Sequence, residues 1–566
     1  MNRYNRFTVF RHILRLFKEE HVIISKVQVT CIIILMTFST AFSAISPYLY
    51  STLVDDVMMK KNIVSLPYMI AFMVGCFIIK SFVDILCSKI SFDFNEKMKN
   101  QIKQMVLSKI LNQQISELND YDVGEKQKIV EQDSVALQNF FMTHIIKFMC
   151  FILYSTVYLY LMCKISLFLT LVAFIIYPLM YFIGKAIGGK FNTIKNTLWK
   201  VSSDNNTYLF EVFGKWKEIK SNCLEKMVLD NYKKRLLSEQ KINLSWMLFF
   251  ALNRLTYALK NDFIQKILMY FVGGILIING QTTVGMLLMF MGYISSFNGY
   301  ADNIMSSITD FIGEKAVFER MSAVLSHKEK DAVKMIQLQT FDVLINNISY
   351  SYPNSEFPIF ENANYLFSDH KKHLIMGSSG VGKSTLIKML SKMIKVSGGQ
   401  IYIDGKPIGM FSDSEYFKIF GFVLQNETFF NFTINDNLQL INSNATHEDI
   451  INACKIAKIH DFILSLPKGY DTTIGERGVK LSGGQRQRLA IARMILHKPS
   501  VIVMDEATNS IDSATEKEIF KNLELYFKDK MWIVISHNKK TPIRFDEIIT
   551  VKEKGLHRQQ LTMPVS

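Results

Sequence analysis

The apolar residues of this chain gather in runs of bilayer length, and every such run falls in roughly the first 310 of its 566 residues. A helix needs about 20 mostly apolar residues to cross a membrane. Four runs meet that need: Val27–Leu53, Val64–Cys87, Phe141–Cys163 and Ser166–Ile187. A fifth, Leu255–Ile278, is interrupted by Lys260, Asp262 and Lys266, and a sixth, Val284–Ile308, is polar around Asn298, Asp302 and Asn303. Six spans are therefore expected, with both chain ends on one side. Short links join the spans in pairs. Between the pairs lie Asp93–Phe140 and Gly188–Arg254, charged and free of proline. These read as helices that continue beyond the bilayer and turn near Tyr121–Glu125 and near Phe213–Glu218.

The formal charge is +15. Much of the excess sits between apolar runs, at Lys97, Lys99, Lys103 and Lys109 and again from Lys190 to Arg235. That is the positive-inside pattern, and with no compact basic-aromatic patch it argues against a nucleic-acid partner. Lys60 and Lys61 fall on the other side, where Asp55 and Asp56 offset them. Residues 1–20 carry Arg3, Arg6, Arg11 and Arg15, and their apolar positions Phe7, Phe10, Ile13, Leu14 and Phe17 recur at the spacing of an amphipathic helix lying on the cytoplasmic membrane face. They lack the short apolar core of a signal peptide. The seven cysteines are scattered without a CxxC pair, as buried small hydrophobes would be. The expected organisation is an N-terminal helix over 1–20, an all-α transmembrane domain over 21–325, a polar linker over 326–340 and an α/β domain over 341–566.

Chemistry concentrates in that last domain. In "HLIMGSSGVGKSTLIKML" a short apolar strand leads through a glycine loop into a helix. Gly377, Ser378, Ser379, Gly380, Val381 and Gly382 can turn backbone N–H groups toward phosphates. Lys383 reaches the terminal phosphates, Ser384 offers a hydroxyl to Mg²⁺, and Thr385 follows in the first helical turn, whose dipole favours an anion. "SVIVMDEATNSID" is an apolar strand ending in two carboxylates: Asp505 for Mg²⁺, directly or through water, and Glu506 to orient or deprotonate an attacking water. Gln425, in "FGFVLQNETFF", offers an amide to both metal and water. His537, after the strand "MWIVIS", is placed to bond a terminal phosphate. Tyr352, in "ISYSYP", is either a stacking platform for a base or an ordinary core or surface tyrosine.

Residues from about Phe341 to Gly555 resemble an ATP-binding-cassette domain, with aromatic loop, Walker A, Gln loop, signature, Walker B, Asp loop and His switch in that family's order. "TTIGERGVKLSGGQRQR" is close to the exporter form. The six-span half resembles the exporter transmembrane domain of type IV, with "DYDVGEKQKIVEQD" and "EVFGKWKEIKSNCLEK" at its two cytoplasmic turns. "NSID", ending at Asp512, stands where "SALD" is common, and "LQN" where "PQD" or "LQD" is. The resemblance implies ATP and Mg²⁺ as cofactors. It implies that Leu481, Ser482, Gly483, Gly484 and Gln485 cover the ATP bound to another cassette. With one cassette and one six-span half, the chain would work as a dimer; both parts of the site look intact, which favours a homodimer over the alternative, a heterodimer. The implied function is ATP-driven export of a peptide, lipid or amphipathic small molecule across a cell membrane, a peptide slightly favoured, with both termini cytoplasmic and a bacterial origin suggested by the Lys-, Asn- and Ile-rich usage. The first span starts near Val27, so a peptide substrate would arrive without help from an N-terminal peptidase domain. The alternative is an ATP-gated sensor or channel, against which Glu506 argues.

Two sets of charges interrupt the spans. Lys80 and Asp84 lie one helical turn apart and are expected to pair. Asp302 has no basic neighbour on its own helix; the family resemblance, in which the last span lines the central cavity, implies that with Asn298 and Tyr300 it lines a polar, aromatic cavity favouring a cationic or amphipathic substrate.

Overall fold

The computed structural model describes residues 25–113, 123–313, 315–325, 336–352, 355, 357–425, 427–475, 481–536, 543–552 and 554–559. The expected N-terminal helix over 1–20, most of the linker, the turn near Tyr121 and His537 lie outside them. The chain divides into two compact units, with the boundary between His327 and Lys328.

The first unit is helical. Its main helices are α1 (Lys26–Thr52), α2 (Leu66–Leu111), α3 (Phe148–Ile165), α4 (Leu167–Phe174), α5 (Ile176–Gly214), α6 (Glu225–Ala258), α7 (Gln265–Ile278), α8 (Val284–Gly313) and α9 (Lys315–Leu325). Four described helical stretches are long and apolar enough to cross a bilayer: Lys26–Met58, Leu66–Leu111, Gly124–Ile165 and Glu225–Ile278. The fourth and sixth expected spans fall on α4 with α5 and on α8. Ser166 separates α3 from α4, its extended backbone and hydroxyl capping the new helix at Leu169 N–H. α5 runs on to Gly214, inside the expected turn, and α6 begins at Glu225.

Close approach is built from small residues, as in other lipid-exposed bundles. A methyl group at Gly292 would come within 2.7 Å of Pro47 on α1, and one at Gly273 within 2.4 Å of Leu287. Asp55 staples the start of α8, accepting from Thr283 Oγ1 at 2.5 Å and Gly285 N–H at 2.9 Å. Asp56 accepts from Lys60 at 2.6 Å, the offset expected from the sequence. Tyr158, Met162, Leu169, Phe290 and Ile294 form a buried core between α3, α4 and α8.

The second unit holds two sheets. A four-stranded antiparallel sheet runs in the order β2 (Phe360–Phe367), β1 (Val343–Tyr350), β4 (Gly398–Ile403), β5 (Lys406–Pro407). A six-stranded sheet runs β10 (Gly555–Gln559), β9 (Glu547–Lys552), β3 (Lys372–Met376), β8 (Met531–Ile535), β7 (Val501–Asp505), β6 (Phe420–Val423). All its pairs except β10–β9 are parallel. Both faces of a parallel sheet are covered, so its strands read as near-continuous apolar runs. The alternation assigns each residue a face: Ile502, Met504, Trp532 and Val534 join one core, and Val501, Val503, Met531 and Ile533 the other.

Candidate nucleotide site

The carboxyl ends of parallel strands are where such folds place ligands, and the singled-out residues follow three of them. After β3 the backbone turns through Gly377, Gly380 and Gly382, at φ 156°, 84° and 109°, into α10 (Lys383–Leu390). Gly382 caps that helix in the left-handed region, and a Cβ there would lie 2.5 Å from Ile359. Ser378, Ser379 and Val381 complete the loop. The Lys383 ammonium curls back inside it, donating to the carbonyls of Gly377 and Ser378, each at 2.9 Å. Burial pulls its pKa down, while Glu506 and Asp505 pull it up.

β7 delivers Asp505 and Glu506. Asp505 is 6 % exposed and its Oδ1 has no hydrogen-bond partner. Its carboxyl titrates above the usual range, chiefly because burial penalises the anion and then because Glu506 is beside it; the Ser384 hydroxyl works in the opposite direction. A buried carboxylate oxygen left unpaired, next to a hydroxyl and an ammonium, is a donor set that suits Mg²⁺ with phosphate. Glu506 adopts φ 51°, a left-handed conformation for a non-glycine residue. That turn aims its carboxylate at two amides: Oε2 accepts from Gln425 at 3.1 Å and from Asn509 at 2.7 Å. Residues 81 apart in sequence, after β6 and β7, thus meet as the motif spacing suggests.

Tyr352 lies beside α10. Its hydroxyl is 3.2 Å from Thr385 Oγ1, its ring stands edge-on to Tyr350, and the Lys388 ammonium is 5.9 Å from the ring centre.

α11 (Gly483–His497) opens at the "LSGGQ" turn. Leu481 is buried, and Ser482 is the N-cap in a reciprocal capping box: its hydroxyl accepts from Gln485 N–H while Gln485 Oε1 accepts from Ser482 N–H. Both glycines face the loop after β7. A Cβ at Gly484 would lie 2.6 Å from the Ser510 carbonyl oxygen, and one at Gly483 3.2 Å from the Ser510 hydroxyl. Asp512 caps α12 (Ser513–Tyr526), accepting from Thr515 N–H at 2.9 Å; that bond holds its carboxyl below the usual carboxylate range.

Sequence reasoning passed over Gln487. Its side chain is buried; it donates to the Glu506 carbonyl at 3.4 Å and accepts from Ser510 N–H at 3.0 Å. One amide thus ties the signature helix to both ends of the loop that carries Asn509. The signal was present as a second glutamine in "GGQRQR", one turn into the helix on the loop-facing side.

The membrane half departs from expectation. Asp302 is not a free carboxylate. Its Oδ1 lies 3.6 Å from the Lys260 ammonium, and its Oδ2 accepts from Asn261 at 3.2 Å. Both partners sit in a π-helical turn, Leu259–Ile264, between α6 and α7. Asn298 is buried, donating to Gln265 at 2.7 Å and accepting from the Tyr177 hydroxyl. Tyr300 faces elsewhere, onto Tyr158 and Tyr154. Two positions along a helix are about 200° apart, so 300 cannot share the face of 298 and 302. Nor do Lys80 and Asp84 pair: Asp84 accepts from Ser39 on α1 at 2.5 Å.

Comparison with known proteins agrees with this architecture. The family model for the ABC transporter transmembrane region matches residues 29–300, and that for the ABC transporter cassette matches 360–509. Relatives from Staphylococcus aureus that carry the name multidrug export ATP-binding/permease protein are 29% identical over 486 residues, 83% of this chain and 82% of theirs; that of the bovine strain RF122 is 28% identical over the same span. The structure of a bacterial Atm1-family ABC exporter with ATP bound superposes with a TM-score of 0.82 over 94% of each chain, at 20% identity, a likeness of fold. The chain belongs to the ABC transporter family: it is an exporter-type protein in which a transmembrane region and an ATP-binding, ATP-hydrolysing cassette share one polypeptide.

Proposed function

We propose that two copies of this chain form an ATP-driven pump in a bacterial plasma membrane, with both termini in the cytoplasm, and that it exports amphipathic small molecules. The observation that carries the hydrolytic part is the pair of amides, Gln425 and Asn509, that fix Glu506 beside Asp505. A sensor or channel has no need of an oriented carboxylate there. The multidrug name of the relatives supports a small amphipathic substrate over the peptide expected first.

In this reading, the loop from Gly377 to Gly382 and the Lys383 ammonium bind the phosphates of ATP. Ser384, Asp505 and Gln425 hold Mg²⁺, which when bound neutralises phosphate charge and fixes its geometry. Glu506 takes the proton of the attacking water, oriented by Gln425 and Asn509. Tyr352 stacks on adenine, and His537 bonds the terminal phosphate. The turn from Leu481 to Gln485 covers the nucleotide held by the partner subunit, and Asp512 sits at that interface. Closing the two copies on ATP and releasing them after hydrolysis needs about 5.5 kcal/mol of differential binding to shift a 1:99 equilibrium to 99:1.

The test is ATP-dependent uptake of amphipathic dyes into inside-out proteoliposomes, with Glu506→Gln as control. Uptake and turnover lost together support the pump; dye flux that persists in the variant points to a gated channel. Defined dimers of one Lys383→Ala chain and one Ser482→Arg chain should retain one working site, and no hydrolysis in them would refute the face-to-face arrangement.

A further inference from the structure

The transmembrane unit bears a half-open cavity of about 790 Å³, a volume suited to a drug-sized molecule. It opens between α1, α2, α3 and α8. Its walls carry the rings of Phe42, Tyr50, Phe77, Tyr158 and Tyr300. One charged side chain is present among the lining residues, Lys80, and no carboxylate.

Lys80 lies 14 residues into α2, about 21 Å from the helix start at Leu66 at 1.5 Å per residue. An ammonium at such depth costs a few kcal/mol unless something answers it. The carboxylate one turn away makes no ion pair with it; Asp84 accepts from Ser39 on α1 instead. Among the described residues Lys80 has no ion pair or hydrogen bond, whereas Lys260 of the same unit is matched to Asp302. Asp302 belongs to a separate, smaller pocket on the opposite face of α8. The large cavity therefore combines an aromatic wall with one unanswered positive charge.

We infer that this cavity recognises amphipathic anions, organic molecules bearing a single anionic group on an apolar body, through an ion pair to Lys80. The inference rests on the export reading for its physiological sense, and it reverses the cation preference that Asp302 suggested. The anion takes the place that a carboxylate would occupy in an ordinary intramembrane pair. The tyrosine and phenylalanine rings hold the apolar body, and cations of the same shape are repelled.

The test uses three probes with one body: 11-(dansylamino)undecanoate, its methyl ester, and the matching trimethylammonium compound. Binding to the full-length protein is read by dansyl fluorescence in detergent, and transport by uptake and ATPase stimulation in proteoliposomes. The wild type should bind the carboxylate at least tenfold more tightly than the ester, and the cation most weakly. Lys80→Met should abolish that preference, bringing carboxylate binding down to the level of the ester. Lys80→Arg should keep it, and Lys80→Glu should reverse it toward the cation. Equal binding of carboxylate and ester by the wild type, or an unchanged preference in Lys80→Met, overturns the inference even if dyes are pumped. A Lys80-dependent carboxylate preference in binding without ATP-driven uptake leaves the site standing and removes the export reading instead.

Discussion

The two units treat buried charge alike, and the exceptions mark their sites. In the cassette, Glu547 is 5 % exposed and answered by Lys371, Arg558 and the Tyr365 hydroxyl. In the membrane unit, Asp133 is held by Arg320 through two bonds of 2.8 and 2.9 Å, and Asp302 by Lys260 and Asn261. Against that background stand Asp505, with a buried oxygen that nothing bonds, and the half-buried Lys80, facing a cavity whose lining holds no carboxylate. Burying an unmatched charge is among the costlier things a fold can do. Where each unit tolerates it, a ligand of opposite sign is the simplest return: a metal ion in one, an organic anion in the other. The difference is in address. The cassette keeps its exception at the end of one strand, beside the Ser384 hydroxyl and Lys383 ammonium of the phosphate loop; the membrane unit assembles its own from four helices.

Experiments can break this comparison from both sides. The largest effect should come from Glu506→Gln, which keeps the hydrogen-bonding shape but cannot accept a proton. Turnover should drop by about 10²–10⁴-fold with ATP binding retained, as measured by steady-state hydrolysis and nucleotide titration. Next is the matched pair. Asp302→Ala or Lys260→Met alone should lower the stability of the detergent-solubilised protein by about 1–3 kcal/mol, discounted from the usual value for a buried pair because Asp302 is 32% exposed. The double variant should recover part of that loss. If the single Asp302 variant instead changes substrate preference at full stability, the pair is not structural.

Gln487→Ala should cost about tenfold in turnover, since one unsatisfied buried N–H amounts to about 1–3 kcal/mol and loosens the Ser510 loop. A Gln487→Glu variant that keeps the Ser510 bond should lose less. The smallest effect has the opposite sign. Asp505→Asn removes an unmatched buried charge, so the nucleotide-free protein should melt a few degrees higher than wild type even as Mg²⁺-dependent hydrolysis is lost. The pH dependence follows from the raised carboxyl. The folded chain keeps this proton as pH rises past 3.8, where the unfolded chain releases it. The stability of wild type relative to Asp505→Asn therefore falls as pH rises from 3.8 through the raised value, and is level below and above that window.

How far the sequence could be read differs between the units for a physical reason. Each cassette motif is a contiguous strand, turn and helix, so local order fixes which atoms converge; Gln425 and Glu506 meet because adjacent parallel strands deliver both to one edge. In the membrane half, lipid-facing and core-facing residues are equally apolar, so hydropathy locates a helix without giving its rotation. Helix phase would have separated Ser296, Gly299, Tyr300 and Asn303, which face the large cavity, from Asn298 and Asp302, which do not. It could not have said that Lys260, 42 positions before Asp302, arrives in a π-helical turn. The expected Lys80–Asp84 pair failed for the same reason: Ser39 approaches from another helix.

The missing side chains of Gly483 and Gly484 bear on how defects in the signature turn are to be interpreted. Adding one methyl group at Gly484 drives it against the Ser510 carbonyl of the same subunit. Ser510 neighbours Asn509, which steadies Glu506. In the dimer proposed above, a substitution meant to spoil the grip on a neighbour's nucleotide would thus also disturb the residue proposed as the mutated subunit's own proton acceptor. Complementation between subunits is for that reason better sought with changes at Ser482, which caps the helix through its bonds with Gln485. A null result with either glycine would be ambiguous by geometry, since in the proposed dimer a change to the turn that would face a partner's nucleotide also presses on the Ser510 loop behind it.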